Sequence, residues 1–466
     1  MNKTVITALG ALSVVSCVNQ PIKNDKPNII MLLVDDLGWK DVGFNGSHYY
    51  ETPNLDRLAQ KGVIFTNAYA ACAVSSPTRA SIQTGRYPSR IGITDWIRAR
   101  FQTDMKPLPE YENNGERLLK TPSNPYRMEL SEVTIAEQLK KAGYFTCHIG
   151  KWHLGTDDYY PEKQGYDLNI GGNDMGQPVN YFDPYVDGNG VRFPNIDSRK
   201  EGEFLTDRLS DELVNVVNSH SDKPFFINMC FYGVHVPLMG RQELVNKYKS
   251  KSPVDEQNNP VYAAMIESID QAVGKLMQAL EKNKVLHNTM IVFFSDNGGV
   301  MTSTSNKPLR AGKASPYEGG IREPMFVYWE NKIEAGSVCN TPISSIDFLP
   351  TFSSIAGVPL PDIIIDGKDI SPLFFKGKTE SRPLFWHFPH YRNQNVPYSI
   401  IRDGDWKLIK FYEGKTFELY NLSEDPYETT DKSDVNQGKV NELNTKLEQW
   451  LKETNSKLPI PKDKKS

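Results

Sequence analysis

The sequence has little net charge, few cysteines and no apolar run long enough to cross a membrane. Its 53 basic and 57 acidic residues give a net charge of −4 over 466 residues, which argues against a general nucleic-acid binder. Five cysteines are present, without the spacing of a metal or redox site. We expect four of them to be mostly buried thiols: Cys72, Cys147, Cys230 and Cys339.

The N-terminus has the layout of an export signal. A small apolar run over residues 4–16 precedes Cys17 and is too short to span a membrane. Residues 14–17 resemble a bacterial lipobox, in which Cys17 would be lipidated, and a signal peptide cleaved nearby is the alternative. We predict a signal over residues 1–17 and a tether over residues 18–26. The protein would then be exported to the periplasm, outer membrane or cell surface, and would contact membrane only through the lipid anchor.

Strand-like and helix-like segments alternate over residues 27–375, which predicts a large, mostly parallel α/β sheet flanked by helices. The continuous apolar run of residues 28–34 is typical of a central strand covered on both faces, and residues 290–295 repeat that pattern. Thr134 and Glu137 have the spacing of a capping box and predict a helix start.

The pattern changes beyond residue 375. Short apolar runs separated by polar turns predict a smaller α+β subdomain over residues 376–456, with an antiparallel sheet. An amphipathic helix is predicted over residues 440–451, and a mobile tail over residues 457–466. Residues 98–127 are rich in loop-forming residues and predict a surface excursion.

Two of the predicted strands end in acidic residues. Asp35 and Asp36 follow the first, and Asp296 and Asn297 follow the run that ends at residue 295. Ligand sites in open α/β sheets lie at the carboxyl ends of strands, and oxygen ligands of this kind suit Ca²⁺ or Mg²⁺ rather than zinc. A solvated turn would also explain an isolated Asp-Asp pair.

A helix start is predicted at Ser75. Pro77 suits the first turn, and Arg79 lies four residues after Ser75, so both side chains can face the same side. The free N–H groups of a helix N-terminus and the guanidinium would favour an anion there. A capped surface helix is the alternative for Ser-x-Pro-x-Arg alone.

The full stretch Ser-Ser-Pro-Thr-Arg-Ala-Ser-Ile-Gln-Thr-Gly-Arg, residues 75–86, resembles the signature of the formylglycine-dependent sulfatases. These enzymes belong to the alkaline-phosphatase superfamily, and the chain is similar to bacterial carbohydrate sulfatases and arylsulfatase A-like enzymes. Ile82 stands where leucine is commoner. The resemblance implies that a maturation enzyme oxidises Ser75 to formylglycine (3-oxoalanine), whose hydrate is the nucleophile.

The resemblance also implies a metal site and a set of catalytic residues. The metal would be Ca²⁺, with Mg²⁺ as the alternative, held by Asp35, Asp36, Ser75, Asp296 and Asn297. The two-zinc phosphatases of the same superfamily use several histidine ligands instead. The catalytic residues would be Ser75, Arg79, Lys151, His153, His235, Asp296 and Lys313.

Each catalytic residue has a role by this resemblance. Three cationic side chains would hold the sulfate: Arg79, Lys151 and Lys313. Asp296 would act as base toward residue 75. His235 would protonate the leaving oxygen, and His153 would help residue 75 to release sulfate. Considered singly, each of these lysines and histidines could be an ordinary surface or core residue.

Residues that flank the sulfate pocket are predicted to bind the sugar: Asp95, Trp96, Arg98, Arg100, Asn173, Asp174, His387, His390 and Arg392. Trp96 and His387 could equally serve interdomain packing. The favoured function is an exported, calcium-dependent sulfatase that releases inorganic sulfate from sulfated glycans. The alternatives are a phosphoester or phosphonate hydrolase on the same scaffold, and a sulfated-glycan-binding protein in which Ser75 is never oxidised.

Overall fold

The computed structural model describes residues 26–98, 107–186 and 190–462 of the chain. In chain order the strands are β1 Asn28–Val34, β2 Val63–Tyr69, β3 Tyr111–Asn113, β4 Leu119–Pro122, β5 Phe145–Gly150, β6 Leu168–Ile170, β7 Phe225–Cys230, β8 Thr289–Ser295, β9 Arg322–Trp329, β10 Ser337–Cys339, β11 Ile343–Ser344, β12 Leu384–Phe388, β13 Tyr398–Asp403, β14 Trp406–Phe411, β15 Phe417–Asn421 and β16 Ile460–Pro461. The helices are α1 Pro53–Gln60, α2 Ser75–Thr84, α3 Pro88–Ile91, α4 Ile135–Lys141, α5 Leu205–His220, α6 Gln242–Lys249, α7 Pro260–Lys282, α8 Glu318–Ile321, α9 Phe348–Ala356, α10 Ser371–Phe374 and α11 Gln437–Glu453.

Within those ranges, no helix combines the length and apolar character that a membrane span needs. The predicted signal segment with Cys17 and the predicted sugar-binding residue Arg100 lie outside the described residues.

A nine-stranded sheet forms the centre of the molecule, in the order β10-β2-β9-β8-β1-β7-β5-β6, with β11 beside β2. Its pairs are parallel except that β9 runs antiparallel to β2 and β8. Strand β1 lies between β7 and β8, and all seven of its residues are buried, as the apolar run predicts. The predicted mostly parallel α/β fold is confirmed.

Helices cover both faces of this sheet. The side chains of β1 alternate between two cores: Ile30 and Leu32 pack with α1, α5 and α7, while Ile29 and Met31 pack with α2, α4 and α9. Burial of each such side chain contributes about 1.5–3 kcal/mol. The predicted capping box is also present, because the Thr134 and Glu137 side chains accept each other's backbone N–H.

The C-terminal strands β12, β13, β14 and β15 form a separate antiparallel sheet, as predicted, and α11 packs against it. The proposed boundaries at residues 375 and 456 stay predictions. Residues 457–462 are not a free tail, so that prediction is wrong for this part: Ile460 and Pro461 pair with β4. Strands β3 and β4 form a hairpin inside the predicted surface excursion, and the free edge of β4 is the one that pairs with Ile460 and Pro461. Composition alone does not reveal this edge.

A buried charge cluster attaches the C-terminal sheet to the central sheet. Lys407 Nζ on β14 lies 3.0 Å from Glu318 Oε1 and 2.7 Å from Glu428 Oε1. Tyr69 at the end of β2 donates to Glu318 Oε2 at 2.7 Å and also contacts Arg402 on β13. We call these five residues the joining cluster.

Candidate active site

Helix α2 begins at Ser75, as predicted, and all ten of its residues are buried. The Ser75 hydroxyl lies 3.2 Å from Asp35 Oδ1 and 3.3 Å from Asn297 Oδ1. Lys151 donates to the same oxygen at 3.2 Å. The chain therefore holds the hydroxyl between carboxylate, amide and ammonium groups at the first turn of a helix, whose N-terminus favours negative charge.

The two acidic strand ends meet because β1 and β8 are parallel neighbours, with Val34 opposite Ser295. Oxygens of Asp35, Asp36 and Asp296 lie within 4.8 Å of one another, and all three residues are buried. The Asn297 amide donates to Asp36 Oδ1 at 2.8 Å. Together these residues form what we call the acidic cluster.

The chemistry of the acidic cluster fits a divalent cation. Asp36 Oδ2 is buried and accepts no hydrogen bond from the described residues. Burial, with the neighbouring charges of Asp296 and Asp36, raises the pKa of Asp35 to about 8 against the opposing effect of Lys151. A cation bound by these oxygens would relieve the crowding, and hard oxygen ligands are those that Ca²⁺ and Mg²⁺ take.

Arg79 and Lys151 support the acidic cluster from inside the protein. Arg79 Nε and an Arg79 terminal nitrogen each lie 2.8 Å from Asp296 Oδ2, and Lys151 Nζ lies 2.7 Å from Asp35 Oδ2. Burial tends to raise the pKa of Asp296, but Arg79 and Lys151 outweigh it and the pKa is lowered. The carboxylate that contacts Ser75 is thus Asp35, while Asp296 is engaged by Arg79.

His153 is placed to accept a proton. Its Nε2 lies 2.9 Å from the Ile97 carbonyl, which can only accept, so Nε2 carries hydrogen and Nδ1 bears the lone pair. Nδ1 is buried without a hydrogen-bond partner among the described residues. Burial, with Lys151 and Arg79 nearby, holds the pKa of His153 well below its usual value. Gly176 allows this packing, since a Cβ there would lie 2.8 Å from the imidazole Cε1.

His235 and Lys313 flank Asp36. Lys313 Nζ lies 2.5 Å from Asp36 Oδ1, and His235 Nε2 lies 3.5 Å from Asp36 Oδ2. His235 Nδ1 donates to the Val236 carbonyl at 2.8 Å, which leaves Nε2 directed to the carboxylate. Burial lowers the pKa of His235 to about 4, although Asp36 opposes that shift. A bound anion would favour the protonated imidazole.

A cavity of about 700 Å³ opens above these groups and exposes five of the predicted catalytic and metal residues: Asp36, Ser75, His153, His235 and Lys313. The other predicted catalytic and metal residues lie deeper: Asp35, Arg79, Lys151, Asp296 and Asn297. Arg79, predicted to hold the sulfate, is therefore a partner of the acidic cluster beneath the cavity floor.

The predicted sugar-binding residues divide into two groups. Trp96, Arg98, Asp174 and Arg392 line the cavity. The others that are described have structural contacts. Asp95 is buried and accepts a hydrogen bond from the Trp96 backbone N–H, and the Asn173 side chain accepts one from the Tyr232 hydroxyl.

Both C-terminal histidines on that list bind within the protein. His387 contacts Ser399 and the Lys457 carbonyl, so it holds the chain after α11 against the C-terminal sheet. His390 contacts the Thr94 hydroxyl at 2.8 Å. Neither lines the cavity, and the contacts of His387 lie within the C-terminal part of the chain.

Sequence reasoning missed several residues of the cavity wall: Gln177, Val179, Val236, Val300 and Asn393. Val179 and Val236 are exposed large apolar residues at this wall. Their signal in the sequence is proximity, because each missed residue lies within a few positions of a residue that was named.

Comparisons with known proteins agree with this geometry. The profile of the family described as Sulfatase matches residues 27–358, and that described as N-sulphoglucosamine sulphohydrolase, C-terminal, matches residues 312–457. A sulfatase of Formosa agariphila is 34% identical over 94% of this chain and 93% of its own length. The N-acetylgalactosamine-6-sulfatase of Mus musculus is 33% identical, and the match covers 82% of this chain and 71% of the length of that protein.

Solved structures give the same result. The structure of Ps i-CgsB in complex with k-i-k-neocarrahexaose has a TM-score of 0.76 and 32% identity, and the match covers 91% of this chain and 92% of that one. The phosphonate monoester hydrolase of Agrobacterium radiobacter, at 18% identity and a TM-score of 0.65, shares the fold.

Proposed function

The chain belongs to the sulfatase family and is a sulfuric ester hydrolase, and we propose that it removes sulfate monoesters from glycans through a formylglycine made from Ser75. The observation that carries the proposal is the environment of Ser75. Its hydroxyl touches Asp35, Asn297 and Lys151 at the buried start of α2 and opens onto the cavity. A plain serine would form a stable sulfate ester, whereas an aldehyde hydrate has a second hydroxyl that can expel sulfate.

The proposed reaction has two steps. First, one hydroxyl of the hydrate gives its proton to a carboxylate of the acidic cluster, and its oxygen attacks sulfur. The bond between sulfur and the glycan oxygen then breaks. That oxygen takes a proton from the pair formed by His235 and Lys313. Second, the other hydroxyl gives its proton to Nδ1 of His153, the carbon–oxygen bond to sulfate breaks, and the aldehyde is restored with release of inorganic sulfate.

Sulfatases bind a divalent metal, and Asp35, Asp36, Asp296 and Asn297 would hold it in this chain. The cation would supply positive charge next to residue 75 and to the sulfate oxygens. We propose calcium because every one of these side chains offers oxygen, with magnesium as the alternative.

A glycan substrate and export complete the proposal. The solved relative at 32% identity is in complex with k-i-k-neocarrahexaose, and the curated relatives include N-acetylgalactosamine-6-sulfatases. Together with the cavity-lining Trp96, Arg98 and Asp174, these relatives support a sulfated sugar as substrate. The proposed export and lipid anchor rest on the apolar segment that ends at Cys17.

The test is the mass of the Ser75 peptide from protein made in its native host, with and without an aldehyde-reactive probe, alongside sulfate release. We expect a loss of two hydrogens, labelling by the probe, and sulfate release that disappears in Ser75→Ala. Unmodified serine in a preparation that still releases sulfate would refute the formylglycine step. Faster hydrolysis of phosphate esters than of sulfate esters would contradict the substrate assignment.

A further inference from the structure

One side of the cavity carries two arginines stacked on a tryptophan. The guanidinium carbons of Arg98 and Arg392 lie 4.8 Å and 4.9 Å from the Trp96 ring centroid. All three side chains line the cavity that also exposes Ser75 and Lys313. We call them the arginine platform.

The segment that carries Trp96 is fixed to the catalytic helix. The Asn124 amide accepts from Thr94 N and Asp95 N, and donates to the Asp95 carbonyl at 2.8 Å. Ile97 N donates to the Ser76 hydroxyl at 2.9 Å, directly beside the nucleophile position. The platform is therefore held in a set position relative to residue 75, which reduces the entropy lost on binding.

Arg392 comes from a different part of the chain and is fixed to the same site. Its backbone N–H donates to the Asn395 carbonyl at 3.2 Å, and Asn395 N–H returns a bond to the Arg392 carbonyl at 2.8 Å. The Asn395 side chain donates to the Ala314 carbonyl at 3.2 Å. Because Ala314 follows Lys313, this turn connects Arg392 to the cation beside the sulfate pocket.

The platform has more positive than negative charge. Asp95, which is buried, lies 3.5 Å from Arg98 and also acts on Arg392, and Asp36, which pairs with Lys313, acts on Arg392 less strongly. Within residues 26–98, 107–186 and 190–462, the Arg392 guanidinium makes no hydrogen bond or ion pair. Burial lowers the pKa of Arg392, with Asp95 opposing and Arg98 adding to the shift. A partly buried guanidinium that faces a cavity, and that has no hydrogen-bonded anionic partner among the described residues, is suited to bind an anion from outside the protein.

We infer that the arginine platform binds a second anionic group of the substrate, a sulfate ester or a carboxylate, while the sulfate to be removed lies at residue 75. This inference rests on the proposed function and makes it narrower. The substrate class becomes a glycan with at least two negative groups that both lie within one cavity. A planar guanidinium can bind either anion through two parallel hydrogen bonds, so the test must separate the two sources.

Binding is measured by titration calorimetry with the Ser75→Ala protein, which cannot turn over. One probe pair is a κ-carrageenan and an ι-carrageenan tetrasaccharide, which differ in the number of sulfates. The other pair is a chondroitin 6-sulfate disaccharide and its carboxyl-reduced form, which differ by the glucuronate carboxylate. We expect the more anionic member of at least one pair to bind about 10-fold to 100-fold more tightly. The pair that shows the difference identifies the anion.

Two variants in the same background locate the effect. Arg392→Gln should remove the preference, while Arg199→Gln, which changes net charge equally at a surface pair with Glu203 and Asp211, should keep it. The preference should also weaken as salt is raised. Equal affinities within both pairs, or a preference that survives Arg392→Gln, would overturn the inference. Discrimination by the platform in a protein that never releases sulfate when Ser75 is intact would instead count against the proposed function.

Discussion

The acidic cluster and the joining cluster contain the same kinds of buried charged groups in two different arrangements. In the acidic cluster, oxygens of Asp35, Asp36 and Asp296 converge to within 4.8 Å. Two lysines and an arginine contact these carboxylates from the periphery of the cluster: Lys151, Lys313 and Arg79. In the joining cluster, Lys407 lies between two carboxylates and contacts both. In the first arrangement the carboxylates converge on one another although each has a cationic partner, so a metal cation can bind among them. In the second, one lysine contacts both carboxylates.

Burial and charge balance therefore do not distinguish a functional site in this molecule. Glu318, Glu428 and Lys407 are as buried as the acidic cluster. The convergence of like charges beneath an open cavity is what separates the two, because it stores repulsion that a ligand can relieve. The following variants test that distinction.

Removal of the central lysine should give the largest change in stability. Lys407→Met leaves Glu318 and Glu428 buried without their cation, and we expect the free energy of unfolding to fall by about 3–5 kcal/mol. Denaturant and thermal unfolding measure the change. Lys415→Met is the matched control, since Lys415 is exposed and pairs with Asp431 at 2.6 Å, and should change stability by less than about 0.5 kcal/mol. Equal losses in both variants would show that Lys407 has no special role.

In the acidic cluster, activity should respond more strongly than stability. Asp36→Asn removes one of the three converging carboxylates, and we expect kcat/KM for a sulfate ester to fall by about 10²–10³-fold. Unfolding in EDTA should change less than in Lys407→Met, because the substitution relieves repulsion at Asp35 while it removes the pairing of Asp36 with Lys313. The control is Asp434→Asn on the surface. A variant with normal activity and a large loss of stability would make the acidic cluster a structural feature like the joining cluster.

Bound metal should stabilise the protein through the acidic cluster and not through the joining cluster. Calcium at 100 times its dissociation constant should raise the free energy of unfolding by about 2.7 kcal/mol, and EDTA should reverse the effect. Thermal unfolding with calcium, magnesium or EDTA measures the shift and identifies the preferred ion. Lys407→Met should keep the shift and Asp36→Asn should lose it. The reverse pattern would contradict the assignment of the cation to the acidic cluster.

The features that could be predicted from the sequence are those encoded locally. Apolar runs gave the bounds of β1 and β8 to within a residue, and parallel pairing of such runs brings Asp35 and Asp296 to one edge. The start of α2 at Ser75 followed from a proline and a signature that spans twelve residues. Each of these signals lies within one short segment.

The features that could not be predicted depend on packing between distant segments. Lys407 and Glu318 are 89 positions apart, and no local pattern indicates that a lysine in a short strand is fully buried between acids. Arg79 was correctly placed on the helix, but its direction, toward Asp296 and away from the cavity, depends on which neighbours fill the space below. Pairing of Ile460 with β4 likewise requires knowledge of a free strand edge.

The smallest expected effect comes from removing three of the four charges of the joining cluster at once, with Arg402 kept. The triple variant Glu318→Gln, Lys407→Met, Glu428→Gln should recover most of the stability lost in Lys407→Met and lie within about 1 kcal/mol of the parent protein, because a buried ion pair adds little over neutral groups of similar size. Double-variant intermediates measured by the same unfolding assay give the coupling between sites. If the triple variant stays as unstable as Lys407→Met, the joining cluster contributes specific interactions that neutral groups cannot replace. No neutral set could replace the acidic cluster in the same way, since its carboxylates are needed to bind a cation.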